Sequence, residues 1–296
     1  TYSWAMESGV HLDRGPVEWP ALVVHGGAGT YARLAEDPTL AATLESAMAS
    51  AADAGWDVLV SGADPVAAVV AAVAYLEDHG GFNAGRGSVP NSAGGVEMDG
   101  AVMDESGRAG GVACITKHSA VRAADTLHRD GRALLLAGPH ADAFAAAAGL
   151  PEMTHLRAVP LSEHGTVGAV AVSAQGRMAA ATSTGGRPEQ PPGRVGDSPI
   201  PGAGLWADGH ASTVATGYGE AFVLAGFARL VAARSATRSG LEDALTAGLD
   251  AVAAYGGTGG GIALGRDRTW AAAHNTRAMA RCVRHAGGRH VTVLDG

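Results

Sequence analysis

A threonine that follows a glycine near the middle of the chain is the feature most able to do chemistry. Thr166 follows Gly165 and begins an apolar run, residues 166–172, which predicts a buried strand. Cleavage of the peptide bond between Gly165 and Thr166 would give Thr166 a free α-amino group beside its hydroxyl. One residue would then hold a nucleophile and its own general base. Glycine before a strand is common, so other residues have to support this hypothesis.

A second group of hydroxyl side chains ends the next predicted strand. Residues 166–173 and 177–183 flank a short turn and predict a β-hairpin. Thr184 closes its second strand, so we expect Thr184 at the same end of the sheet as Thr166. There it is a candidate to hydrogen-bond the nucleophile, although a strand that ends in hydroxyl side chains is also an ordinary structural feature.

Two opposite charges stand three residues apart in the glycine-flanked loop 193–199. Arg194 can bind a carboxylate through two parallel hydrogen bonds, and Asp197 can bind an ammonium group. Together they predict a clamp for the zwitterionic end of an amino acid. The alternative is a mutual ion pair at the surface, which contributes little.

A candidate oxyanion site lies where a predicted strand meets a helix. Thr216 and Gly217 end the strand, and the predicted helix covers residues 219–233. Backbone N–H groups at a helix start are free to bind an anion. The Thr216 hydroxyl and the Gly217 N–H would suit the oxyanion of a tetrahedral intermediate, whereas the alternative is a simple entry turn.

Composition and charge narrow the class of protein. The 296 residues are 47% hydrophobic and 17% charged, which indicates a folded chain with a sizeable core. The formal net charge of −8 argues against nucleic acid and anionic membranes as partners. No apolar run is long enough to span a bilayer, and residues 1–20 lack the apolar centre of a signal peptide. We therefore expect a cytoplasmic protein in which residues 1–20 are an extension.

Sites for a catalytic metal or a nucleotide are not predicted. Cys114 and Cys282 lie far apart in the sequence and are expected to be buried, inert thiols. The 12 histidines show no metal-ligand spacing. Residues 27–32 match the pattern G-x-G-x-x-A, but no helix begins directly after it, so a dinucleotide-binding turn is not expected.

The predicted elements come in groups of strands and helices. We expect helices at 39–54, 66–76, 141–148, 219–233 and 241–255. Further strands are expected at 21–24, 96–103, 110–115, 134–136, 214–216, 261–264, 269–273 and 290–294. Gly55 is expected to cap the first helix, and Ser239 with Glu242 to form a capping box for the last one. Such grouping favours antiparallel sheets covered by helices.

The short motifs occur in an order that resembles a known family. They are His-Gly-Gly-Ala-Gly at 25–29, Phe-Asn-Ala-Gly at 82–85, Glu-Met-Asp at 97–99, and the segments 165–171, 182–186, 193–199 and 275–276. From residue 22 onward the chain resembles the plant-type L-asparaginases, also called isoaspartyl peptidases, of the N-terminal nucleophile hydrolase superfamily.

The resemblance implies a fold and a maturation step. The fold would be α+β, a four-layer αββα sandwich, with residues 1–296 in a single domain. Self-cleavage between Gly165 and Thr166 would give the chains 1–165 and 166–296. Two precursors, or two cleaved pairs, would form a dimer. The implied activity is hydrolysis of β-aspartyl dipeptides and of the side-chain amide of L-asparagine.

The resemblance also implies a role for each site residue. Thr166 would be the nucleophile, Thr184 its support, and Thr216 with Gly217 the oxyanion hole. Arg194 would hold the substrate α-carboxylate, Asp197 and the Gly219 carbonyl its ammonium group, and Asn83 would line the site. No catalytic cofactor is implied. A structural sodium ion would be bound by the backbone carbonyls of Leu76, Glu77, His79, Phe82, Ala84 and Arg86.

Two alternatives to this function stay open at the level of the sequence. The chain could be a relative that does not cleave itself and acts as a binding or scaffold protein. It could also be a hydrolase of the same fold that acts on glycosylasparagine or on protein substrates. Tyr218, beside the expected pocket, is expected to narrow the side from which the leaving group departs.

Overall fold

The structure of the protein, a computed structural model, describes residues 9–31, 36–155, 165–237 and 240–294. Its helices are α1 (Pro38–Val60), α2 (Pro65–His79), α3 (Ala120–Asp130), α4 (Pro139–Ala147), α5 (Gly219–Ala225), α6 (Phe227–Ser235) and α7 (Gly240–Ala254). Its strands are β1 (His11–Pro16), β2 (Ala21–Gly29), β3 (Met98–Asp104), β4 (Ala109–Ile115), β5 (Leu135–Ala137), β6 (Val167–Val172), β7 (Met178–Thr184), β8 (Leu205–Ala207), β9 (Ala211–Gly217), β10 (Gly259–Gly265), β11 (Thr269–His274), β12 (Ala278–His285) and β13 (Gly288–Thr292). None of the helices in these ranges is long and apolar enough to cross a membrane.

Two β-sheets form the centre of the fold. Within the described ranges, one sheet has five strands in the order β1-β11-β10-β9-β8. The other has eight strands in the order β13-β12-β2-β6-β7-β3-β4-β5. Neighbouring strands run antiparallel, apart from the parallel pair β4 and β5. The β6–β7 hairpin therefore lies in the interior of the larger sheet.

Apolar side chains on both faces of each sheet build the layers. In β2, Leu22 and Val24 join the core under α1 and α2, while Val23 joins the core between the two sheets. In β10, Ile262 lies between the sheets and Ala263 joins the core under α6 and α7. The order helix, sheet, sheet, helix is a four-layer αββα sandwich, so the predicted fold class is confirmed.

The β6–β7 hairpin sets the position of the two predicted catalytic threonines. Val167 pairs with Ser183, and Val172 pairs with Met178. Thr166 directly precedes β6 and Thr184 ends β7, so both lie at the same end of these two paired strands. The hairpin was predicted because its two apolar strands stand on either side of a short polar turn.

The segment expected to be an extension contributes a strand. β1 pairs with β11 over its whole length, with His11 opposite His274. Arg281 of β12, which is buried, donates from Nε to Asp13 of β1 at 3.0 Å. Residues 11–16 are thus an edge strand of the smaller sheet. Strands β8 and β12 and helix α3 were likewise not predicted.

Two predictions of helix ends were wrong. Helix α1 continues through Gly55 to Val60; a Cβ at Gly55 would lie 2.8 Å from the Ala68 carbonyl oxygen, so this glycine allows α1 to approach α2. The predicted helix 219–233 is divided into α5 and α6 at Gly226, which has a left-handed φ of +59°. Ser239 of the predicted capping box lies outside the described residues.

Candidate active site

A cavity of about 250 Å³ opens where the β6–β7 hairpin meets the loops that follow β7 and β9. Most residues predicted for catalysis or substrate binding line it, although Thr216 and Asn83 do not. The lining residues are Ala28, Gly165, Thr166, Thr184, Gly186, Arg187, Pro188, Glu189, Arg194, Gly196, Asp197, Ser198, Gly217, Tyr218, Gly219, Thr258 and Thr276. The fold thus brings residues from distant parts of the sequence to one cavity.

The hydroxyl group of Thr166 is buried and hydrogen-bonded. Thr166 is 5% exposed, and its Oγ1 lies 2.8 Å from Ser198 Oγ. Ser198 is fully buried, and its carbonyl oxygen accepts a 2.7 Å hydrogen bond from Thr182 Oγ1. The Ser198 hydroxyl is therefore held beside Thr166. The sequence motif contained Ser198, but its position in a loop carries no signal of where its hydroxyl lies.

Glycine is required at position 165 by the backbone and by its neighbour. Gly165 has a φ of +145°, and a Cβ there would lie 2.5 Å from Gly27 Cα. Residues other than glycine adopt such a conformation only at a cost in strain. Gly27 is itself held in β2, where its carbonyl accepts a hydrogen bond from the Tyr31 hydroxyl at 2.7 Å. Gly165, just before Thr166, thus lies against the end of a strand.

Arg194 and Asp197 face the same cavity, but the ion pair of Arg194 is with Glu220. Arg194 donates from Nε and Nη2 to the two carboxylate oxygens of Glu220, at 3.1 and 2.8 Å. Gly219 lies against both members of the predicted clamp, since a Cβ there would be 2.9 Å from Arg194 Nη2 and from Asp197 Oδ1. Glu220 was not predicted as a site residue; its place directly after Gly219 was the available signal.

The carboxyl group of Asp197 is buried and incompletely hydrogen-bonded. Burial raises its pKa from 3.8 to about 7. Among the described residues, Oδ2 of Asp197 has no hydrogen-bond partner. A buried carboxylate with a free oxygen is unfavourable without a cation. The ammonium group of an amino acid has the charge and the hydrogen-bond donors that such a site lacks.

The acids of the 97–99 motif hold the clamp loop. Both carboxylate oxygens of Glu97 accept from the Gly193 N–H, at 3.1 and 3.0 Å. Asp99 accepts from the N–H of Gly196 at 3.4 Å and from that of Cys114 at 2.8 Å. Burial raises the pKa of Asp99 to about 6. Asp99 of β3 and Glu97, just before β3, therefore hold the two ends of the segment from Gly193 to Gly196.

Thr216 and Gly217 end β9 beside the cavity. Gly217 lines the cavity, and Thr216 is fully buried directly behind it. Thr216 Oγ1 accepts the backbone N–H of Ala28 at 3.3 Å, which leaves the hydroxyl hydrogen of Thr216 for donation. Of the predicted oxyanion pair, Gly217 therefore lines the cavity and Thr216 does not.

Asn83 supports the cavity wall from behind. The side-chain Nδ2 of Asn83 donates to the Gly186 carbonyl at 2.6 Å, and the backbone carbonyl of Asn83 accepts the Gly185 N–H at 2.9 Å. Thr184 Oγ1 accepts the Gly186 N–H at 3.1 Å. The amide group of Asn83, which was predicted to line the site, holds the loop that follows Thr184.

Comparison with known proteins assigns the chain to a family. A family model described as asparaginase matches residues 18–159 and 153–294. The chain belongs to the asparaginase family. It is 34% identical over 301 residues to the isoaspartyl peptidase/L-asparaginase of Xenopus laevis, which covers 94% of this chain and 96% of the relative. The predicted family and enzyme class, a hydrolase, are confirmed.

Other relatives in the asparaginase family come from distant organisms. The plant-type L-asparaginase of Pyrobaculum calidifontis is 37% identical over 289 residues, which is 88% of this chain and 95% of the relative. The human isoaspartyl peptidase/L-asparaginase is 33% identical over 299 residues, which is 92% of this chain and 95% of the relative. The likeness therefore extends over nearly the whole chain in each case.

The backbone carbonyls predicted to bind sodium lie at the end of α2 and in the turn that follows it. A Cβ at Gly85 would lie 2.6 Å from the Glu77 carbonyl oxygen, and a Cβ at Gly87 would meet the Phe82 carbonyl oxygen. Backbone oxygens are ligands that hard cations prefer. In the part of the chain that the structure describes, no cluster of three or more His, Cys, Asp or Glu side chains could hold a metal. The backbone oxygens of Glu77 and Phe82 thus lie close to Gly85 and Gly87.

Proposed function

We propose that the chain cuts itself between Gly165 and Thr166 and then hydrolyses β-aspartyl dipeptides and the side-chain amide of L-asparagine. The observation that carries this proposal is that Thr166, directly before β6, lines a cavity also lined by Arg194 and Asp197. Relatives named isoaspartyl peptidase/L-asparaginase, at 33 and 34% identity, support the substrate class.

Self-cleavage needs a hydroxyl attack on the preceding peptide bond. Thr166 Oγ1 attacks the carbonyl carbon of Gly165, and the C–N bond breaks as the nitrogen takes up a proton. The product is an ester between Gly165 and the Thr166 oxygen. Water hydrolyses this ester, so residues 1–165 and 166–296 become separate chains. Ser198, 2.8 Å from Thr166 Oγ1, orients the attacking oxygen.

The freed amine then acts as the base in substrate hydrolysis. An α-amino group has a pKa of ~7.7–8.0, so it can accept the hydroxyl proton of Thr166 near neutral pH. The oxygen attacks the side-chain carbonyl carbon of the substrate, and the Thr216 hydroxyl with the Gly217 N–H stabilises the oxyanion. Ammonia or an amino acid leaves, and water releases aspartate from Thr166. Thr184 supports the nucleophile.

The clamp selects substrates that carry a free α-amino acid end. Arg194 uses two of its five N–H donors on Glu220 at short distance, so donors remain for a substrate α-carboxylate. The Asp197 carboxylate and the Gly219 carbonyl bind the ammonium group. Asn83 contributes indirectly by holding the Gly186 loop.

Mass spectrometry and ammonia release test the proposal together. The purified protein is expected as two fragments, the second beginning at Thr166, and it releases ammonia from L-asparagine; Thr166→Ala should stay intact and inactive. Intact wild-type protein after long incubation, without ammonia release, would falsify the proposal. Binding of a β-aspartyl dipeptide without turnover would favour a binding protein. Hydrolysis of glycosylasparagine would assign the enzyme a different substrate.

A structural sodium ion and a dimer complete the proposed enzyme. The carbonyl groups of Leu76, Glu77, His79, Phe82, Ala84 and Arg86 would hold the ion, supported by the oxygens that surround Gly85 and Gly87. The melting temperature is expected to be higher in sodium chloride than in choline chloride at equal ionic strength. Sedimentation should give twice the mass of one chain; a monomer would exclude the dimer.

A further inference from the structure

Arg187 is a cation of the cavity wall to which the proposed function gives no role. It lines the same cavity as Arg194. The side chain of Arg187 is 44% exposed, whereas that of Arg194 is 12% exposed. The cavity thus has a buried guanidinium in the clamp and a second, solvent-facing one in its wall.

Contacts at both ends of the residue hold Arg187 in the wall. Its guanidinium carbon lies 5.6 Å from the centre of the Tyr218 ring, within the range of a cation–π interaction. Its backbone N–H donates to Gln190 Oε1 at 3.1 Å. Tyr218, which was expected to narrow the leaving-group side of the pocket, lines the cavity together with this positive charge.

Glu220 leaves donors of Arg187 for another carboxylate. Arg187 Nη2 lies 3.6 Å from Glu220 Oε1, which is longer than a direct hydrogen bond. The two Glu220 oxygens already accept shorter hydrogen bonds from Arg194, at 3.1 and 2.8 Å. A guanidinium presents a planar fork of five N–H donors that matches a carboxylate. Arg187 can therefore bind one without giving up a close ion pair.

We infer that Arg187 forms a second carboxylate subsite, which binds the α-carboxylate of the leaving residue in a β-aspartyl dipeptide. The inference rests on the proposed function. L-Asparagine has a single carboxylate, which Arg194 binds. A β-aspartyl dipeptide has a second carboxylate, on the amino acid that forms the leaving group. Because this carboxylate does not take part in the reaction, Arg187 lowers KM for dipeptides and leaves the chemical step unchanged.

Arg187→Met tests the subsite, because it removes the charge and keeps an unbranched side chain. We expect KM for β-aspartyl-glycine to rise about tenfold, while kcat/KM for L-asparagine changes less than about twofold. The wild-type enzyme should prefer β-aspartyl-glycine over its C-terminal amide by a similar factor, and the variant should not. The preference should shrink as salt is added, since the side chain is partly exposed.

Arg229→Met is the matched control. The Arg229 guanidinium carbon lies 4.7 Å from the centre of the Trp206 ring, its side chain is 55% exposed, and it does not line the cavity. The Arg229→Met variant should leave KM and kcat unchanged for both substrates. Glu189→Gln, which removes a negative charge from the same wall, should not raise KM for the dipeptide.

Three results would overturn the subsite. Equal losses for dipeptide and asparagine in Arg187→Met would mean that Arg187 serves the first carboxylate. Equal KM values for the dipeptide and its amide in the wild type would mean that the second carboxylate is not recognised. If the wild type hydrolyses neither substrate, the proposed function fails, and calorimetry then decides the subsite: equal affinity for β-aspartyl-glycine and its amide rejects it.

Discussion

Asp197→Asn is expected to stabilise the folded chain at neutral pH, although it removes the ionic partner of the substrate. Asp197 is 3% exposed, and burial raises the pKa of its carboxyl from 3.8 to about 7. Below pH ~4 the group is protonated in both the folded and the unfolded state. As the pH rises to about 7, the unfolded state loses its proton first, so the free energy of unfolding falls; the loss is complete above the folded-state pKa.

The pKa difference gives the size of the effect. A rise from 3.8 to about 7 is roughly 3 pH units, and each unit corresponds to about 1.4 kcal/mol. The carboxylate thus destabilises the fold by at most about 4 kcal/mol above pH 7. An asparagine carries no charge but still buries polar atoms with incomplete hydrogen bonding. We therefore expect Asp197→Asn to gain about 1–4 kcal/mol at pH 8 and close to nothing at pH 4.

Urea unfolding at several pH values measures this gain. Both proteins carry Thr166→Ala, so that self-cleavage does not change the unfolding transition. Asp57→Asn, at an exposed position on α1, is the control and should show no comparable trend. In the enzyme without Thr166→Ala, Asp197→Asn should raise KM for L-asparagine more than about tenfold. A gain that is the same at every pH, or a less stable variant at pH 8, would refute the reasoning.

Three substitutions test other parts of the site and the fold. Ser198→Ala removes a neutral hydrogen bond to Thr166, so self-cleavage and kcat should fall about fivefold with little change in KM; unchanged rates would contradict the role of Ser198. Gly165→Ala puts a Cβ against Gly27, so the rate of self-cleavage, followed by the appearance of fragments on gels, should fall more than about tenfold. Cleavage at the wild-type rate would contradict the requirement for glycine at position 165. Gly55→Ala should lower the free energy of unfolding, measured in urea, by about 1–3 kcal/mol, because its Cβ would lie 2.8 Å from the Ala68 carbonyl oxygen. An unchanged urea midpoint would mean that the space between α1 and α2 can accommodate a methyl group.

The sequence predicted those parts of the site that local patterns specify. The β6–β7 hairpin could be predicted from two apolar runs around a polar turn. This hairpin alone brings Thr166 and Thr184 to the same end of two paired strands. The clamp loop could be predicted because Arg194 and Asp197 stand close together in the chain. Glu220 and Ser198 could not be assigned roles, because their contacts join segments that only the fold brings together.

Strands β1 and β12 were missed because they depend on partners that are distant in sequence. Strand β12 contains Arg281, and a buried arginine is unfavourable until Asp13 of β1 is present. Neither segment predicts the other, so both strands were overlooked. Gly55 shows the same limit, because a glycine that caps a helix and one that lets two helices approach are identical in sequence.

Strands from the two sides of the Gly165–Thr166 bond alternate within the larger sheet. β2 precedes the bond, and its neighbours β12 and β6 both follow it. Neither half of the chain can therefore form this sheet alone, and backbone hydrogen bonds between the halves would remain after a cut. Under the proposed mechanism, cleavage becomes available only when the halves have already interleaved. Activation would then mark, irreversibly, each molecule that has finished folding, and unfinished chains would never gain activity.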